Sequence, residues 1–223
     1  MSLVVVGTGT EIGKTITCAV ILARYSGRFQ LADWKPVATG SIQDRDSLVI
    51  DRLCGDQVKI VQESYLFEPP VSPHLAARQA RTKIRPEKII RELSTYQKSA
   101  ASRPLVIEGI GGLLVPLTYG GFLLADLIQE MTLPCLLVAS STLGTINHTL
   151  LTIEAMKSRK LELVGVVLSG PENRDNRHAI SKFGGVPVIG HIRPITPLSP
   201  ENIKCVARGF DRKALLKSYF ENG

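Results

Sequence analysis

Aromatic residues are scarce in this sequence: they make up 5% of its 223 residues, although 44% of the residues are hydrophobic. Proteins that bind single-stranded nucleic acids stack the bases on aromatic side chains, and this chain offers few such platforms. The net charge is +7, but the basic residues are spread along the chain. We therefore expect no nucleic-acid binding, and we interpret the positive charge as a solvated surface that attracts small anionic substrates.

Cysteine and histidine are also few and scattered. The four cysteines form no CxxC pair, and the four histidines form no HExxH pattern. This spacing argues against a zinc site and against a disulfide framework, and it suits reduced thiols in a cytosol. Surface or capping roles are expected for the histidines, which are His74, His148, His178 and His191.

No apolar run reaches the roughly 18 residues that a membrane-spanning helix needs. The first run, residues 3–6, is also too short for the apolar part of a signal peptide. A chain of this length can bury roughly 70% of the surface that it exposes when unfolded, so its core needs no disulfide or metal. We expect a cytoplasmic protein without membrane contact.

Short apolar runs alternate with amphipathic stretches, without internal repeats or low-complexity linkers. The runs are continuous, as in strands that are buried on both faces. This alternation predicts a single domain over residues 1–223 with an α/β fold of three layers, a parallel sheet with helices on both faces. Residues 67–85 are predicted to form a loop that leads into a short helix, and the basic stretch 204–217 has the charge pattern of a solvated helix. The predicted strands are 3–6, 31–34, 105–107, 135–139, 164–168 and 186–189, and the predicted helices are 14–25, 86–98, 145–157 and 174–183.

The clearest functional motif follows the first predicted strand, where residues 7–15 read GTGTEIGKT. The common phosphate-loop pattern GxxxxGK[ST] has a glycine where Thr8 stands, and Gly7 lies one residue earlier, so the spacing is a variant. The physical requirements are still met, because glycines let several N–H groups turn inward and the following helix adds its positive N-terminus. Lys14 would reach the outer phosphates of a nucleoside triphosphate, and the Thr15 hydroxyl would coordinate Mg²⁺.

Charged residues end two other predicted strands, and ligands of open α/β sheets bind beyond such strand ends. A buried Lys35 would need negative charge, which a phosphate supplies, although alone it is more typical of a surface lysine at a sheet edge. Glu108 suits a magnesium ligand, with a cap or turn carboxylate as the alternative. Asp44, Asp46 and Asp51 fall in or near a helix start, where each is a helix cap or a metal ligand.

A further candidate site precedes the helix predicted at 145–157. Residues 140–148 read SSTLGTINH. Small polar residues and a glycine before a helix leave free N–H groups that can hold an anion, and an ordinary helix cap explains the same pattern.

Together these segments resemble the dethiobiotin synthetase family. The resemblance implies a P-loop NTPase-like fold, a homodimer, and a reaction of ATP, CO₂ and 7,8-diaminononanoate that gives dethiobiotin, ADP and phosphate. One amine takes up CO₂ as a carbamate, ATP phosphorylates the carbamate, and the second amine closes the ureido ring and expels phosphate. The matching strings are GTGTEIGKT at 7–15, KPVATG at 35–40, VSPHLAA at 71–77, EGIGGLLVPL at 108–117 and LGTINHTLLT at 143–152.

The resemblance also implies roles for individual residues. Lys14 and Lys35 would be catalytic, because they would stabilise the carbamate and the transferring phosphoryl group. We expect Lys35→Ala to fold normally and to lower kcat by about 100-fold or more. The cofactor Mg²⁺ would be held by Thr15, Asp46 and Glu108. The nucleotide would contact Glu11, Ile12, Gly13, Lys14, Thr15, Ile16, Asp46, Glu108, Gly109, Ile110, Gly111, Ser169, Gly170 and Pro194, and the diamine would contact Thr10, Thr39 and, across the dimer interface, Gly144, Thr145, Ile146 and Asn147.

Three features depart from the family pattern. Gly9 stands where the family often has aspartate, which removes one carboxylate near the expected Mg²⁺. Ser169 and Gly170 stand where the family often has an asparagine that reads adenine, and the later element at 192–194 is one residue longer. Serine offers fewer hydrogen bonds than asparagine, so we expect weak discrimination between nucleotide bases.

Other functional classes remain open at this point. A partitioning or metal-delivery ATPase of the same fold group usually has an extra lysine early in the loop, and none lies between Gly7 and Gly13. A GTPase would need an NKxD string, which the sequence lacks. A synthase for another acid or amide is disfavoured by the strings at 71–77 and 143–152.

Overall fold

The computed structural model describes residues 1–43 and 45–221. Asp44, one of the carboxylates predicted near a helix start, lies outside the described residues. A 3₁₀ turn covers Gly55–Gln57. The strands are β1 (Leu3–Gly7), β2 (Ala32–Trp34), β3 (Val37–Thr39), β4 (Lys59–Val61), β5 (Tyr65–Phe67), β6 (Leu105–Glu108), β7 (Cys135–Ser140), β8 (Leu163–Ser169) and β9 (Val188–Ile192). The helices are α1 (Lys14–Phe29), α2 (Asp46–Cys54), α3 (Pro73–Gln79), α4 (Pro86–Lys98), α5 (Leu124–Met131), α6 (Thr145–Ser158), α7 (Arg174–Gly184), α8 (Pro200–Gly209) and α9 (Lys217–Glu221).

Seven of these strands form one parallel sheet in the order β4-β2-β6-β1-β7-β8-β9. The first strand, β1, lies between β6 and β7, and β2 lies directly beyond β6. The chain therefore builds the sheet outward on one side of β1, returns, and continues on the other side. In open α/β sheets the ligand crevice lies at such a reversal, beyond the carboxyl ends of the strands.

The two faces of the sheet are covered by different helices. Successive side chains of a strand point to opposite faces, and in β1 this places Val4 and Val6 in one hydrophobic core and Leu3 and Val5 in the other. Helices α4 to α7 contribute to the first core, and α1, α2, α8 and α9 contribute to the second. The predicted three-layer α/β fold is confirmed.

The strands predicted from isolated apolar runs agree well with the structure. Five of the six predicted strands match β1, β2, β6, β7 and β8 to within one residue at each end. The sixth prediction, 186–189, is wrong in its bounds, because β9 starts at Val188 and ends at Ile192. Pro187 has no N–H group to donate to a ladder, which explains the later start. The sequence analysis did not identify α5, β4 or the separate two-stranded sheet of β3 and β5.

The basic stretch 204–217 is not one solvated helix. Helix α8 ends at Gly209, and the chain then folds back around Asp211, which is 1% exposed. Its carboxylate accepts hydrogen bonds from the hydroxyl of Tyr25 at 2.7 Å and from the N–H groups of Leu215 and Leu216. A buried carboxylate with three donors thus anchors the C-terminal segment to α1. None of the helices in the described part of the chain is long and apolar enough to cross a bilayer.

Candidate active site

The loop between β1 and α1 has a backbone that its glycines make possible. A Cβ at Gly7 would lie 2.5 Å from Cδ1 of Ile12, and Gly13, just before α1, has a φ of 88°. Glu11 also has a positive φ, 56°, a conformation that non-glycine residues adopt only at a cost. Because Gly13 has no side chain to cap the helix, the first N–H groups of α1 are free to serve an anion.

Lys35 lies at the centre of a cluster that four chain segments build. Its Nζ donates to Oε1 of Glu108 at 2.7 Å and to Oδ2 of Asp46. Oγ1 of Thr15 lies 2.6 Å from Oδ1 of Asp46 and 3.1 Å from Oε1 of Glu108. Because β2, β6 and β1 are neighbours in the sheet, the residues that follow them meet at one edge. The structure thus brings together Lys35 and the three residues that the sequence analysis proposed for Mg²⁺.

Burial and charge set the protonation of this cluster. Burial disfavours the Lys35 ammonium, but Glu108 and Asp46 outweigh it and raise the pKa of Lys35. Burial raises the pKa of Glu108, which is 2% exposed, although Lys35 opposes this shift. Burial acts in the same direction on Asp46, but Lys35 and Thr15 outweigh it and lower its pKa. Lys35 therefore remains a cation, and it cannot serve as a base near neutral pH.

The loop lysine, Lys14, is held by its own loop. Its Nζ donates to the carbonyl oxygen of Gly9 at 2.8 Å. Burial lowers the pKa of Lys14, and the nearby Lys35 ammonium acts in the same direction, whereas Glu108 opposes the shift. An anion between the two lysines would relieve this repulsion, so the pair favours a negatively charged ligand.

Other residues proposed for the nucleotide have mixed surroundings. Ile12 and Ile16 pack against the second hydrophobic core, so only their backbone N–H groups could serve phosphates. Ile110 is buried in the first core. Gly109 lies close to β1, and a Cβ there would come within 3.3 Å of the Val5 carbonyl oxygen. The N–H group of Gly109 donates to the same carbonyl oxygen at 2.9 Å, so this glycine is needed for close packing against β1.

At the far end of the crevice, Ser169 ends β8 and its hydroxyl lies against Gly13 of the phosphate loop. Gly170 has a φ of 125°, and its carbonyl oxygen lies 2.9 Å from Nε2 of His191. Pro194 is exposed just beyond β9. The serine that stands in place of the expected asparagine is thus next to the phosphate loop.

The residues proposed for the diamine lie in two groups. Thr10 is exposed in the phosphate loop, and Thr39 ends β3. The other group begins α6: Gly144 has a φ of 91°, Thr145 is buried, and Asn147 is exposed. None of the hydrogen bonds or ion pairs of residues 1–43 and 45–221 joins the second group to the Lys35 cluster. Leu143, two residues before α6, is fully exposed, with an accessibility of 102%, and Leu151 within α6 is 56% exposed.

Sequence reasoning did not identify two polar residues near the site. Asp33 is 1% exposed on β2, two residues before Lys35, and no described residue hydrogen-bonds its Oδ1. An aspartate within an apolar strand was the signal that could have revealed it. Asn176 of α7 donates from Nδ2 to the carbonyl oxygen of Ser141 at 3.1 Å. The sequence around Asn176 gives no comparable sign of a role at the site, because asparagine is common near the start of a helix.

The parallel sheet, the loop before α1 and the lysine–carboxylate cluster place the chain among P-loop α/β proteins. Solved structures agree: a ParA family ATPase from Chlorobium tepidum aligns with a TM-score of 0.60, at 11% identity, over 99% of this chain and 97% of that one. The cell division ATPase MinD from Pyrococcus furiosus aligns with a TM-score of 0.59, at 17% identity, over 99% and 98%. At these identities the likeness shows the fold alone.

Sequence comparison narrows the class to one family. A family model described as an AAA domain matches residues 1–202. The ATP-dependent dethiobiotin synthetase of Paramagnetospirillum magneticum is 38% identical over 199 residues, 89% of this chain and 91% of that protein. Those of Brucella ovis and Afipia carboxidovorans are 40% and 39% identical over 202 and 203 residues, about nine tenths of each chain. The chain belongs to the ATP-dependent dethiobiotin synthetase family, and the expectation of an ATP-dependent ligase of this kind is confirmed.

Proposed function

We propose that this chain closes the ureido ring of dethiobiotin from 7,8-diaminononanoate, CO₂ and ATP. One amine of the substrate attacks CO₂ and loses a proton, which gives a carbamate. A carbamate oxygen takes the γ-phosphoryl group of ATP, and ADP leaves. The second amine then attacks the carbonyl carbon, loses a proton and expels phosphate. The observation that carries the proposal is the buried Lys35 cation beside the phosphate loop, held by Glu108 and Asp46.

The two anionic groups of this reaction, the carbamate and the transferring phosphoryl group, need positive charge rather than a covalent partner. Phosphoryl transfer depends mainly on positioning and on neutralisation of charge. Lys35 stays protonated because the two carboxylates raise its pKa, so it would stabilise the carbamate and the transferring phosphoryl group. Lys14, on the neighbouring segment, would leave the Gly9 carbonyl for the outer phosphates.

The cluster also supplies suitable ligands for Mg²⁺. The hydroxyl of Thr15 lies within hydrogen-bonding distance of both carboxylates, those of Asp46 and Glu108. Mg²⁺ prefers oxygen ligands and usually retains waters and substrate phosphates. No group of three or more His, Cys, Asp or Glu side chains in residues 1–43 and 45–221 could hold a metal by itself. The metal would neutralise phosphate charge, and its binding would compete with Lys35 for the same two carboxylates.

We further propose a homodimer in which the start of α6 holds the carboxylate tail of the substrate bound to the other subunit. The first N–H groups of a helix attract anions, and Gly144 leaves this helix start without a capping side chain. Leu143 and Leu151 expose apolar surface beside it, which a partner subunit would cover.

The reaction can be tested by phosphate release from the purified protein. We expect release only when diaminononanoate, bicarbonate, Mg²⁺ and ATP are all present. ATP hydrolysis without the diamine, or hydrolysis stimulated by a protein partner, would instead favour the switch ATPase alternative.

A site shared between subunits predicts complementation of two inactive variants. Lys35→Ala and Asn147→Ala would each be inactive or weakly active alone. In a mixed dimer one of the two sites would have both native residues, so random mixing should restore about a quarter of native activity, because half of the dimers would be mixed. Steady-state rates before and after mixing of refolded subunits measure this.

The control for complementation is a mixture of Lys35→Ala with Lys14→Ala. Both changes lie in the same half of the site, so in a mixed dimer each site would lack one lysine and no activity should return. Recovery in this control, or no recovery with Asn147→Ala, would show that the site lies within one subunit.

The Ser169 position predicts weak base selection. We expect kcat/KM for ATP and CTP to agree within about tenfold, because serine offers one hydroxyl where an amide could read a base edge. Ser169→Asn should raise the ratio in favour of ATP, and Ser218→Asn on the exposed face of α9 should not. A native preference for ATP above about 1000-fold would contradict the proposed role of Ser169.

The cytoplasmic location, the absence of nucleic-acid binding and the single domain over residues 1–223 stay predictions from the sequence.

A further inference from the structure

A cavity separate from the Lys35 cluster lies between the C-terminal half of α3 and the segment after Leu117. Its volume is about 550 Å³, within the range of small-molecule sites. Ala77, Ile84 and Leu117 give it apolar surface, and all three belong to the first hydrophobic core. None of its lining residues is among those proposed above for ATP, Mg²⁺ or the diamine.

The rim of this cavity is strongly basic. Arg78, Arg81 and Lys83 line it, and no carboxylate from the described part of the chain does. None of these three cations takes part in an ion pair with another described residue. Most basic groups on a surface are balanced by nearby acids or dispersed. Three unpaired cations around one concave surface raise the local concentration of anions.

One wall of the cavity is aromatic. The ring of Tyr119, which is 57% exposed, packs edge-on against His74 at a centroid distance of 5.0 Å. The guanidinium of Arg78 lies 5.2 Å from the centre of the same ring. His74 and Arg78 are one turn apart on α3, so both reach this wall.

The imidazole of His74 is incompletely satisfied. Its Nδ1 is buried and has no hydrogen-bond partner among the described residues. A buried polar atom without a partner costs stability, which a ligand group that hydrogen-bonds this nitrogen would recover. The pattern of an unpartnered imidazole nitrogen, three cations and apolar surface is typical of a ligand site that combines charge with apolar contact.

We propose that this cavity binds a small organic anion, with a carboxylate or phosphate head held by Arg78, Arg81 and Lys83 and an apolar body packed against the exposed ring of Tyr119. The arginines suit either head, because guanidinium groups bind carboxylate and phosphate oxygens in pairs. The site is independent of the reaction proposed above, since it uses none of the same residues.

Hexanoate and phenyl phosphate serve as probes of the two head groups, and hexanol serves as the uncharged control. Each probe is titrated calorimetrically into the full chain in the presence of saturating ADP and Mg²⁺. The phosphate loop is then occupied, so any heat of probe binding comes from another site. We expect at least one anionic probe to bind with a Kd of about 1 mM or below, which corresponds to about −4 kcal/mol. The probe that binds more tightly identifies the head group, and hexanol should bind at least about tenfold more weakly.

Matched variants locate the binding. Arg78→Gln with Arg81→Gln should weaken the anionic probe by at least about tenfold, and Arg208→Gln, which removes an exposed cation of α8, should not. Asn147→Ala separates this cavity from the proposed substrate tail site, because it should leave probe affinity unchanged. Binding that is lost in Asn147→Ala but kept in the double arginine variant would overturn the proposal, as would hexanol binding equal to that of hexanoate or no detectable binding of either anion.

Discussion

Lys35→Ala is expected to lower kcat by about 100-fold or more and, without Mg²⁺, to lower the free energy of unfolding by about 3 kcal/mol. The activity falls because the proposed carbamate and phosphoryl charges lose a cation held in place. The stability falls because Glu108, 2% exposed, would lose its ion-pair partner. Removing one partner of a buried pair costs about 3–5 kcal/mol, and we expect the lower end because the Asp46 side chain is 33% exposed.

This result refines the expectation from sequence that the variant simply folds normally. Urea unfolding with and without Mg²⁺ separates the two effects, since a cation bound to Asp46 and Glu108 should return part of the stability but not the activity. The double variant Lys35→Ala with Glu108→Gln is the control: it should recover most of the stability, because the carboxylate that remains, Asp46, is 33% exposed and still accepts a hydrogen bond from Thr15. Native turnover in Lys35→Ala would remove Lys35 from the active site, and unchanged stability at every Mg²⁺ concentration would show that the ion pairs contribute little.

Asp33→Asn is expected to stabilise the protein near pH 7 by at least about 1 kcal/mol. Burial raises the pKa of Asp33 well above its usual range, and the nearby Glu108 carboxylate acts in the same direction. The Lys35 ammonium opposes this shift without outweighing it, and the Oδ1 of Asp33 has no hydrogen-bond partner among the described residues to stabilise the ionised form. Asparagine has nearly the same shape and carries no charge.

The pH dependence has a definite sign. A folded-state pKa above the unfolded value of about 3.9 means that the folded protein binds the extra proton, so the stability from this group is complete below that value. It declines as the pH rises from about 4 through the folded pKa, by up to about 1.4 kcal/mol per pH unit. The advantage of Asp33→Asn should therefore grow with pH over this window, as measured by chemical unfolding at several pH values.

Asp51→Asn is the control for this titration, because Asp51 is exposed on α2. It should shift stability little at any pH. An advantage of Asp33→Asn that does not change between pH 4 and 8, or a loss of stability, would show that Asp33 is not a buried acid without a partner in solution.

Much of the site could be predicted from local sequence, because each part follows a strand. The loop at residues 7–15 requires glycines, a lysine and a threonine at fixed spacing, which a linear motif records. Glu108 and Lys35 were recognisable as charges that end apolar runs. The fold class followed from the same alternation of apolar runs and amphipathic stretches, because strands of a doubly covered parallel sheet bury both faces.

The sequence by itself determined the phosphate loop, the fold class and the charged residues that follow the strands. Only the tertiary structure decided that Lys35 is buried between Glu108 and Asp46, because sheet order, a contact between distant segments, sets which strand ends meet. It also decided that Asp33 is enclosed with no hydrogen-bond partner for its Oδ1 among the described residues, and that Asp211 anchors the C-terminal segment, since burial depends on what packs from elsewhere in the chain. The basic cavity beside Tyr119 has the same origin, because its walls lie more than thirty residues apart in sequence.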